Sequence, residues 1–196
     1  MLKTFFYWLS IVVLKITQVC LFPMKVYGRE NVPSKGPFIL ASNHFSHLDP
    51  ILIPVSSPRR LNFVAKEELF ENKWFGKLLS TLGAFPVKRG QTDMSSIREM
   101  LRRLKTQPVL IFPEGTRARP GVERKIQQGV GLLVKQTNLP VVPVYITGTD
   151  KVLPPGTKKL NRYPVTITFG KSITFGSELS REAISYGVLQ KIYELK

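Results

Sequence analysis

Short apolar runs recur along the chain after residue 23, each bounded by Gly, Pro or polar residues. Their length and their content of Val, Ile and Phe predict β-strands, at residues 24–28, 37–42, 61–65, 108–112, 140–146 and 164–170. Apolar residues at helical spacing appear between or after these runs, at residues 93–106, 129–137 and 181–195. Strands that alternate with helices predict an α/β domain, in which a largely parallel central sheet is flanked by helices.

The pattern at residues 93–106 is the clearest of the helical patterns. It carries one apolar stripe at helical spacing, consisting of Ile97, Met100, Leu101 and Leu104. Asp93 is the expected N-cap, because its side chain can accept a hydrogen bond from the first turn. We expect the arginines of this helix to face outward, namely Arg98, Arg102 and Arg103.

The start of the chain has a different pattern, since residues 5–22 form one apolar run that Pro23 closes. As a helix, this run would be about 27 Å long, which is close to the ~30 Å hydrocarbon core of a bilayer. The polar residues in it and just before it fall within an arc of about 160° on a helical wheel, namely Lys3, Thr4, Ser10, Lys15, Thr17 and Gln18. We therefore expect residues 1–23 to lie in the membrane interface, followed by a globular domain at residues 24–196. A helix that crosses the bilayer and a soluble core helix are the alternatives.

The charge of the chain limits the kinds of partner that it can have. Lys and Arg number 29 against 13 Asp and Glu, which gives a net charge of +16. Such a charge predicts a negatively charged partner: nucleic acid, an anionic membrane surface, a phosphorylated substrate or an acidic protein. A non-enzymatic nucleic-acid-binding protein is disfavoured, because the aromatic residues concentrate in the apolar N-terminal segment. Cys20 is the only cysteine, so an intrachain disulfide is excluded and a reducing compartment is expected.

Both histidines of the chain, His44 and His47, follow a predicted strand and precede Asp49. Sites in parallel sheets form at the carboxyl ends of strands, so this stretch is a candidate site. If the intervening residues form a turn, the Asp49 carboxylate can fold back onto His44 and fix the tautomer that a general base needs. Asp49 followed by Pro50 is also typical of a helix start, with Asp49 as the N-cap. A metal site built from both histidines and Asp49 is disfavoured, since it needs further ligands and the chain has no other histidine.

A second polar stretch follows the predicted strand at 108–112. Gly115 permits a tight turn, Thr116 offers a hydroxyl group, and Arg117 offers a bidentate fork for phosphate or carboxylate. Glu114 can accept a hydrogen bond from a hydroxyl group or pair with an arginine. A solvated loop with a Glu–Arg surface pair is the alternative.

A third stretch, residues 83–90, contributes Lys88 and Arg89 after another short apolar run. Alone, these two residues would form a solvated pair of charges. Together, the three stretches predict one site, in which a base that removes a proton lies beside arginines that hold an anion.

These stretches resemble the conserved blocks of the glycerolipid acyltransferases, specifically the 1-acylglycerol-3-phosphate acyltransferases. The family's Asn-His-x4-Asp block matches Asn43, His44 and Asp49, and its Phe-Pro-Glu-Gly-Thr-Arg block matches residues 112–117 without a mismatch. A proline-containing apolar strand at 139–144 matches the family's fourth block. The ordered blocks cover most of the chain after residue 24.

The family's second block, Gly-x-x-aromatic-aliphatic-x-Arg, is matched only in part. Gly83, Val87 and Arg89 fit this pattern, but Pro86 occupies the aromatic position and Phe85 precedes it. Because of this departure, the family pattern does not define the shape of the expected acceptor pocket beside Arg89.

The resemblance implies an acyltransferase mechanism. His44, oriented by Asp49, is expected to deprotonate the free hydroxyl group of 1-acylglycerol 3-phosphate, which then attacks a fatty acyl thioester and gives phosphatidic acid. Arg117 and Arg89 are expected to hold the acceptor's phosphate. The residues expected to position the acceptor are Glu114, Gly115 and Thr116. Neither a metal ion nor an organic cofactor is expected, and the acyl donor is a co-substrate carried by coenzyme A or by acyl-carrier protein.

The resemblance also implies a role in phospholipid biosynthesis, in association with the cytoplasmic face of a membrane. The expected partners are the thioester donor, a lysophosphatidate-like acceptor, an anionic membrane surface and acyl-carrier protein, but not nucleic acid. An acyltransferase that uses glycerol 3-phosphate or another lysophospholipid is the main alternative, because such enzymes share these blocks. A thioesterase with water as the acceptor would use the same base but would have no use for the arginines.

Overall fold

The structure is a computed structural model that describes residues 22–87, 94–117, 126–157 and 159–196. Most of the predicted membrane segment therefore lies outside the described residues, as do Asp93 and Arg89. Among the described residues, no helix combines the length and the apolar composition that crossing a bilayer requires.

A seven-stranded sheet forms the centre of the fold, with the strand order β1-β7-β6-β2-β5-β3-β4. The strands are β1 (Met24–Tyr27), β2 (Ile39–Ser42), β3 (Asn62–Lys66), β4 (Ala84–Val87), β5 (Val109–Ile111), β6 (Val141–Thr147) and β7 (Val165–Phe169). Neighbouring strands among these are parallel except for β6 and β7, which pair in antiparallel fashion. The structure thus confirms the largely parallel sheet that the sequence predicts.

Helices cover both faces of the sheet. They are α1 (Asp49–Ser56), α2 (Lys73–Leu82), α3 (Met94–Leu104), α4 (Gly129–Thr137), α5 (Thr149–Val152) and α6 (Arg181–Tyr193), with 3-10 turns at Arg29–Asn31 and Glu67–Phe70. Buried side chains of α1 and α2 belong to one apolar cluster, whereas those of α3, α4 and α6 belong to another. The domain is therefore a three-layer α/β/α arrangement.

Strand β2 shows how the two clusters are separated by the sheet. Successive side chains of a strand point to opposite faces, and Leu40 belongs to the cluster of α1 and α2 while Ile39 and Ala41 belong to the other. All four residues of β2 are buried. Fully burying an aliphatic side chain contributes about 1.5–3 kcal/mol to the stability of the fold. Strand β2 therefore holds the start of the loop that follows it in a fixed position.

The six predicted strands are all present, with boundaries within two residues of the predicted ones. Strand β4 and helix α2 were not predicted as elements. Strand β4 lies at the edge of the sheet, where the missing N–H of Pro86 is tolerated. Helix α2 has its large apolar residues on one side, several of which are exposed rather than buried.

Helix α3 has the predicted apolar stripe, but one of its arginines is not where the sequence predicted. Arg102 faces outward with a side chain that is 65% exposed, whereas the Arg103 side chain is only 23% exposed. The guanidinium of Arg103 lies 4.4 Å from the ring centroid of Phe85, and its Nη1 donates to Oδ1 of Asn62 at 2.5 Å. The outward prediction for Arg103 was wrong because a buried asparagine and an aromatic face both lie within its reach.

Candidate active site

Two loops of the predicted site leave the sheet at the same edge. Strands β2 and β5 are parallel neighbours, with Ile39 paired to Val109 and Ala41 to Ile111. Their carboxyl ends therefore lie side by side, and the loops that follow them begin at Asn43 and at Phe112. This placement brings the histidine motif and the 112–117 stretch together, as the sequence predicted.

The side chains of His44 and Asp49 form a hydrogen-bonded pair. Nδ1 of His44 lies 2.8 Å from Oδ2 of Asp49, and the two side chains are 17% and 0% exposed. The same Oδ2 accepts hydrogen bonds from the backbone N–H groups of Phe45 at 2.6 Å and Ser46 at 2.8 Å. Because Oδ2 already acts as an acceptor, Nδ1 of His44 donates to it, which leaves Nε2 with its lone pair available to accept a proton.

The Asp49 side chain does not cap helix α1, contrary to one of its predicted roles. Helix α1 begins at Asp49, Leu48 occupies the N-cap position, and Pro50 lies in the first turn. The carboxylate points back to the N–H groups of the preceding loop rather than forward to those of the helix. These bonds close residues 44–49 into the turn that the contact with His44 requires.

Phe112 packs directly against His44. The two rings are stacked, with centroids 4.2 Å apart and an interplanar angle of 24°. Stacked aromatic pairs contribute about 0.5–1.5 kcal/mol beyond their buried area. The ring of Phe112 therefore restricts the imidazole on the side that faces strand β5.

Asn43 ties the histidine loop to strand β6. Its Nδ2 donates to the carbonyl oxygen of Ile146 at 2.7 Å, and its Oδ1 accepts from the N–H of Ile146 at 2.8 Å. The asparagine side chain is fully buried. It thus replaces a backbone partner for Ile146 and fixes the residue that immediately precedes His44.

Glu114 lies in the loop that follows β5 and is buried, with only 3% of its surface exposed. The hydroxyl group of Tyr193, at the end of α6, donates to its Oε1 at 2.5 Å. Its other oxygen, Oε2, has no hydrogen-bond partner among the described residues. The carboxylate is therefore anchored by one oxygen and can accept a hydrogen bond through the other.

The remaining residues of the 112–117 stretch form a tight turn. The N–H of Gly115 donates to the carbonyl oxygen of Phe112 at 2.9 Å, and Gly115 has φ +66°, a conformation that glycine adopts at little cost. Thr116 is exposed and Arg117 is partly buried. The hydroxyl and guanidinium groups thus follow Glu114 at the edge of the sheet where His44 lies.

The remaining predicted residues are Arg89 and, for the metal alternative, His47. Arg89 lies outside the described residues, and His47 is exposed. Within the described ranges, no three His, Cys, Asp or Glu side chains are grouped so that they could hold a metal ion. The alternative of a metal site formed by His44, His47 and Asp49 therefore has no ligand set in this part of the protein.

Sequence reasoning missed three of these contacts. It assigned no specific contact to Asn43 or Phe112, although both belong to the quoted blocks. It gave no role to Tyr193, which lies 79 residues from Glu114 along the chain. No local pattern predicts such a long-range contact, whereas the positions of Asn43 and Phe112 directly after the ends of strands β2 and β5 were usable signals.

Comparison with known proteins identifies the family. The chain belongs to the acyltransferase family, because the family model described as Acyltransferase matches residues 23–147. It is similar to a 1-acyl-sn-glycerol-3-phosphate acyltransferase of Bacillus subtilis, with 36% identity over 127 residues that cover 64% of this chain and 63% of the relative. A chloroplastic 1-acyl-sn-glycerol-3-phosphate acyltransferase of Brassica napus is 34% identical over 160 residues, which are 78% of this chain and 45% of the relative. The chain thus spans less than two thirds of the length of these two relatives.

The fold is also similar to a solved structure. The crystal structure of the 1-acyl-sn-glycerophosphate (LPA) acyltransferase PlsC from Thermotoga maritima superposes with a TM-score of 0.76 at 26% sequence identity. The superposition covers 89% of this chain and 71% of that one. The mostly parallel sheet with helices on both faces is therefore shared with an acyltransferase of known structure.

Proposed function

We propose that this protein transfers a fatty acyl group from an acyl thioester to the free hydroxyl group of 1-acylglycerol 3-phosphate and so produces phosphatidic acid. The observation that carries the proposal is the His44–Asp49 pair, stacked on the first residue of the Phe-Pro-Glu-Gly-Thr-Arg stretch. The names of the similar proteins support the same acceptor.

In the proposed reaction, His44 is the general base. Its Nε2 takes the proton of the acceptor's hydroxyl group while the oxygen attacks the thioester carbonyl carbon. The tetrahedral intermediate then collapses, the C–S bond breaks, and the leaving thiolate takes the proton back from the imidazolium. A thiol with a pKa of about 8.5 leaves readily, so activation of the hydroxyl is the main demand, and a positioned base contributes a factor of ~10²–10⁴.

Asp49 supports both stages of this reaction. Its hydrogen bond to Nδ1 holds the neutral imidazole in the tautomer that accepts a proton at Nε2. When the imidazolium forms, the buried carboxylate stabilises the positive charge at a distance of 2.8 Å. No covalent acyl-enzyme, metal ion or organic cofactor takes part in these steps.

The acceptor's phosphate is the proposed ligand of Arg117, together with Arg89. A guanidinium group matches the geometry of phosphate with two parallel hydrogen bonds. Arg117 follows Phe112, the residue that packs on His44, so a phosphate held there lies on the same edge of the sheet as the base. Glu114, Gly115 and Thr116 complete the proposed acceptor site.

We further propose that the protein acts at the cytoplasmic face of a membrane. The apolar run at 5–22 and the net charge of +16 both favour this location, since each basic residue near anionic lipid contributes about 1 kcal/mol. The same positive charge attracts either of the proposed donor carriers, the phosphates of coenzyme A or the acidic surface of acyl-carrier protein.

An assay with the purified full chain tests this function. Lysophosphatidate is incubated with acyl-coenzyme A or with acyl-carrier-protein thioester, and the products are identified by mass. We expect phosphatidic acid with at least one donor. If lysophosphatidate is inert while glycerol 3-phosphate or lysophosphatidylcholine reacts, the proposed acceptor is wrong. Release of free fatty acid without any acceptor would instead indicate a thioesterase.

A further inference from the structure

Helix α2 exposes large apolar side chains that the proposed reaction does not use. Trp74 is 84% exposed, and Phe75 and Leu78 are 41% and 38% exposed. Leu69, in the preceding 3-10 turn, is 41% exposed. Single exposed apolar residues are common on protein surfaces, whereas exposed apolar residues grouped on one helix indicate a candidate interaction site.

Helix α2 has an apolar side and a side that carries lysines. At 100° per residue, the large apolar residues of α2 share one side of the helix, on which Leu79 and Leu82 are buried and Trp74, Phe75 and Leu78 are exposed. The other side contains the exposed residues Lys73 and Lys77, which lie one turn apart. A helix with tryptophan and leucine on one side and lysines beside them is typical of helices that lie at the surface of a bilayer.

The position of α2 in the fold places its N-terminal end at the same edge of the sheet as the candidate active site. Strand β3 ends at Lys66, the 3-10 turn Glu67–Phe70 follows at once, and α2 then returns to the start of β4. Since β3 and β4 are parallel, the N-terminal end of α2 lies at the carboxyl edge of the sheet. Asp49, the hydrogen-bond partner of His44, begins helix α1 at that same edge, and α1 and α2 share one layer of the domain.

We propose that Trp74, Phe75 and Leu78 insert into the interfacial region of an anionic lipid bilayer, with Lys73 and Lys77 contacting the lipid headgroups. This membrane contact is formed by the globular domain and is separate from residues 1–23. It rests on the proposed function, because it would place the His44 edge of the sheet at the surface from which a lipid acceptor enters. The net charge of +16 makes an anionic bilayer the complementary surface.

Tryptophan fluorescence tests the contact without requiring activity. The chain contains two tryptophans, Trp8 and Trp74, so the full-length Trp8→Phe variant reports on Trp74 alone. The probe is a vesicle of phosphatidylcholine and phosphatidylglycerol in equal parts, with and without brominated lipid. We expect a blue shift of Trp74 emission on vesicle addition and quenching by the brominated chains.

Binding variants provide the second measurement. Trp74→Ser removes an exposed side chain and leaves the core unchanged, and we expect about a tenfold or greater loss of vesicle affinity. Lys73→Gln with Lys77→Gln should weaken binding by roughly tenfold to thirtyfold at low salt, and this loss should shrink as salt is added. Tyr186→Ser, at a 57% exposed position of α6, is the matched control and should bind like the wild type.

Several results would overturn the inference while leaving the proposed function intact. Trp74 emission that stays unchanged with vesicles, while the lone Trp8 of a Trp74→Phe variant shifts, would confine the contact to the N-terminal segment. A blue shift of Trp74 emission that appears without lipid and grows with protein concentration would mean that a second copy of the chain covers this apolar group. If Trp74 is protected from acrylamide quenching without lipid at every protein concentration, other residues of the same chain cover its side chain. Conversely, vesicle binding through Trp74 in a protein that transfers no acyl group would refute the function and not the contact.

Discussion

The imidazole of His44 and the phenyl ring of Phe112 are stacked with their centroids 4.2 Å apart. This contact joins two loops that are distant in the chain but leave the neighbouring strands β2 and β5. It makes the position of the base depend on the sheet rather than on one loop alone.

Asn43 should be a major contributor to stability. The Asn43→Ala variant loses two hydrogen bonds and leaves the buried N–H and C=O groups of Ile146 without their partner, so we expect a loss of about 2–4 kcal/mol in the free energy of unfolding. Asn161→Ala is the control, since its side-chain bond to Lys151 is exposed and its loss should cost under about 0.5 kcal/mol. Urea denaturation measures both values. Equal losses in the two variants would show that the buried hydrogen bonds to Ile146 contribute no more to stability than an exposed one.

Gly115 should tolerate alanine less well than another glycine with the same backbone conformation. Gly36 has φ +74° and no heavy atom within 4 Å of a built Cβ, whereas a Cβ on Gly115 would lie 2.7 Å from Cγ of Gln127. Gly36→Ala should lower the free energy of unfolding only by the cost of the left-handed backbone conformation, roughly 1–2 kcal/mol. Gly115→Ala should lower it further. Adding Gln127→Ala should bring the Gly115 variant to the Gly36 level in urea denaturation. A double variant as unstable as Gly115→Ala alone would contradict the proposed clash.

Glu99 should stabilise the domain at neutral pH and lose this effect in acid. The side-chain hydrogen bond from Arg102 lowers the pKa of Glu99 to about 2, and Arg103 acts in the same direction against partial burial. A carboxyl group whose pKa is lowered on folding stabilises the native state above its unfolded pKa of about 4.3. This stabilisation disappears as the pH falls from there towards 2.

The Glu99→Gln variant tests this pH dependence. Its Tm should be lower than that of the wild type at pH 7, and the difference should shrink steadily below about pH 4.3. The effect is small, because Arg102 is mostly exposed and solvent screens such pairs. Glu178→Gln, in an exposed loop, is the control. A Tm difference that is the same at pH 7 and pH 3 would show that charge is not its cause.

Arg117 should affect acceptor binding more than chemistry. A hydrogen bond to a charged group contributes about 1.5–3 kcal/mol, so Arg117→Ala should raise KM for lysophosphatidate by roughly tenfold to a hundredfold with the donor saturating. A monoacylglycerol, which lacks the phosphate, should not distinguish the variant from the wild type. Lys105→Ala, at an exposed position, is the control for general loss of positive charge. An unchanged KM for lysophosphatidate would place the phosphate elsewhere.

The fold was predictable because its central strands are buried on both faces. Such strands are nearly continuous apolar runs, and β2 and β6 stand out in the sequence for this reason. Strand β4 is a four-residue edge strand with Pro86 inside it, so composition alone does not identify it. Helix α2 was not predicted although its large apolar residues lie on one side of the helix, and part of that side is exposed in the fold.

The site was predictable where its contacts are local. The spacing from His44 to Asp49 allows a turn that joins them, and the structure contains this turn. The stacking of Phe112 on His44 and the bond from Tyr193 to Glu114 depend on strand order and helix packing. Those features follow from the whole fold, so the sequence motifs indicated which residues matter but not which of them touch.

The rate of acyl transfer by a His44→Asn variant is the most direct test of the account. Asparagine can keep a donor near the position of Nδ1 for Asp49 but provides no base at the position of Nε2, and His47→Asn is the matched control at an exposed position. Circular dichroism verifies that both variants are folded. We expect kcat to fall by at least about a hundredfold for His44→Asn and to stay near the wild-type value for His47→Asn. A His44→Asn enzyme that keeps the wild-type kcat would contradict the role of His44 as the general base.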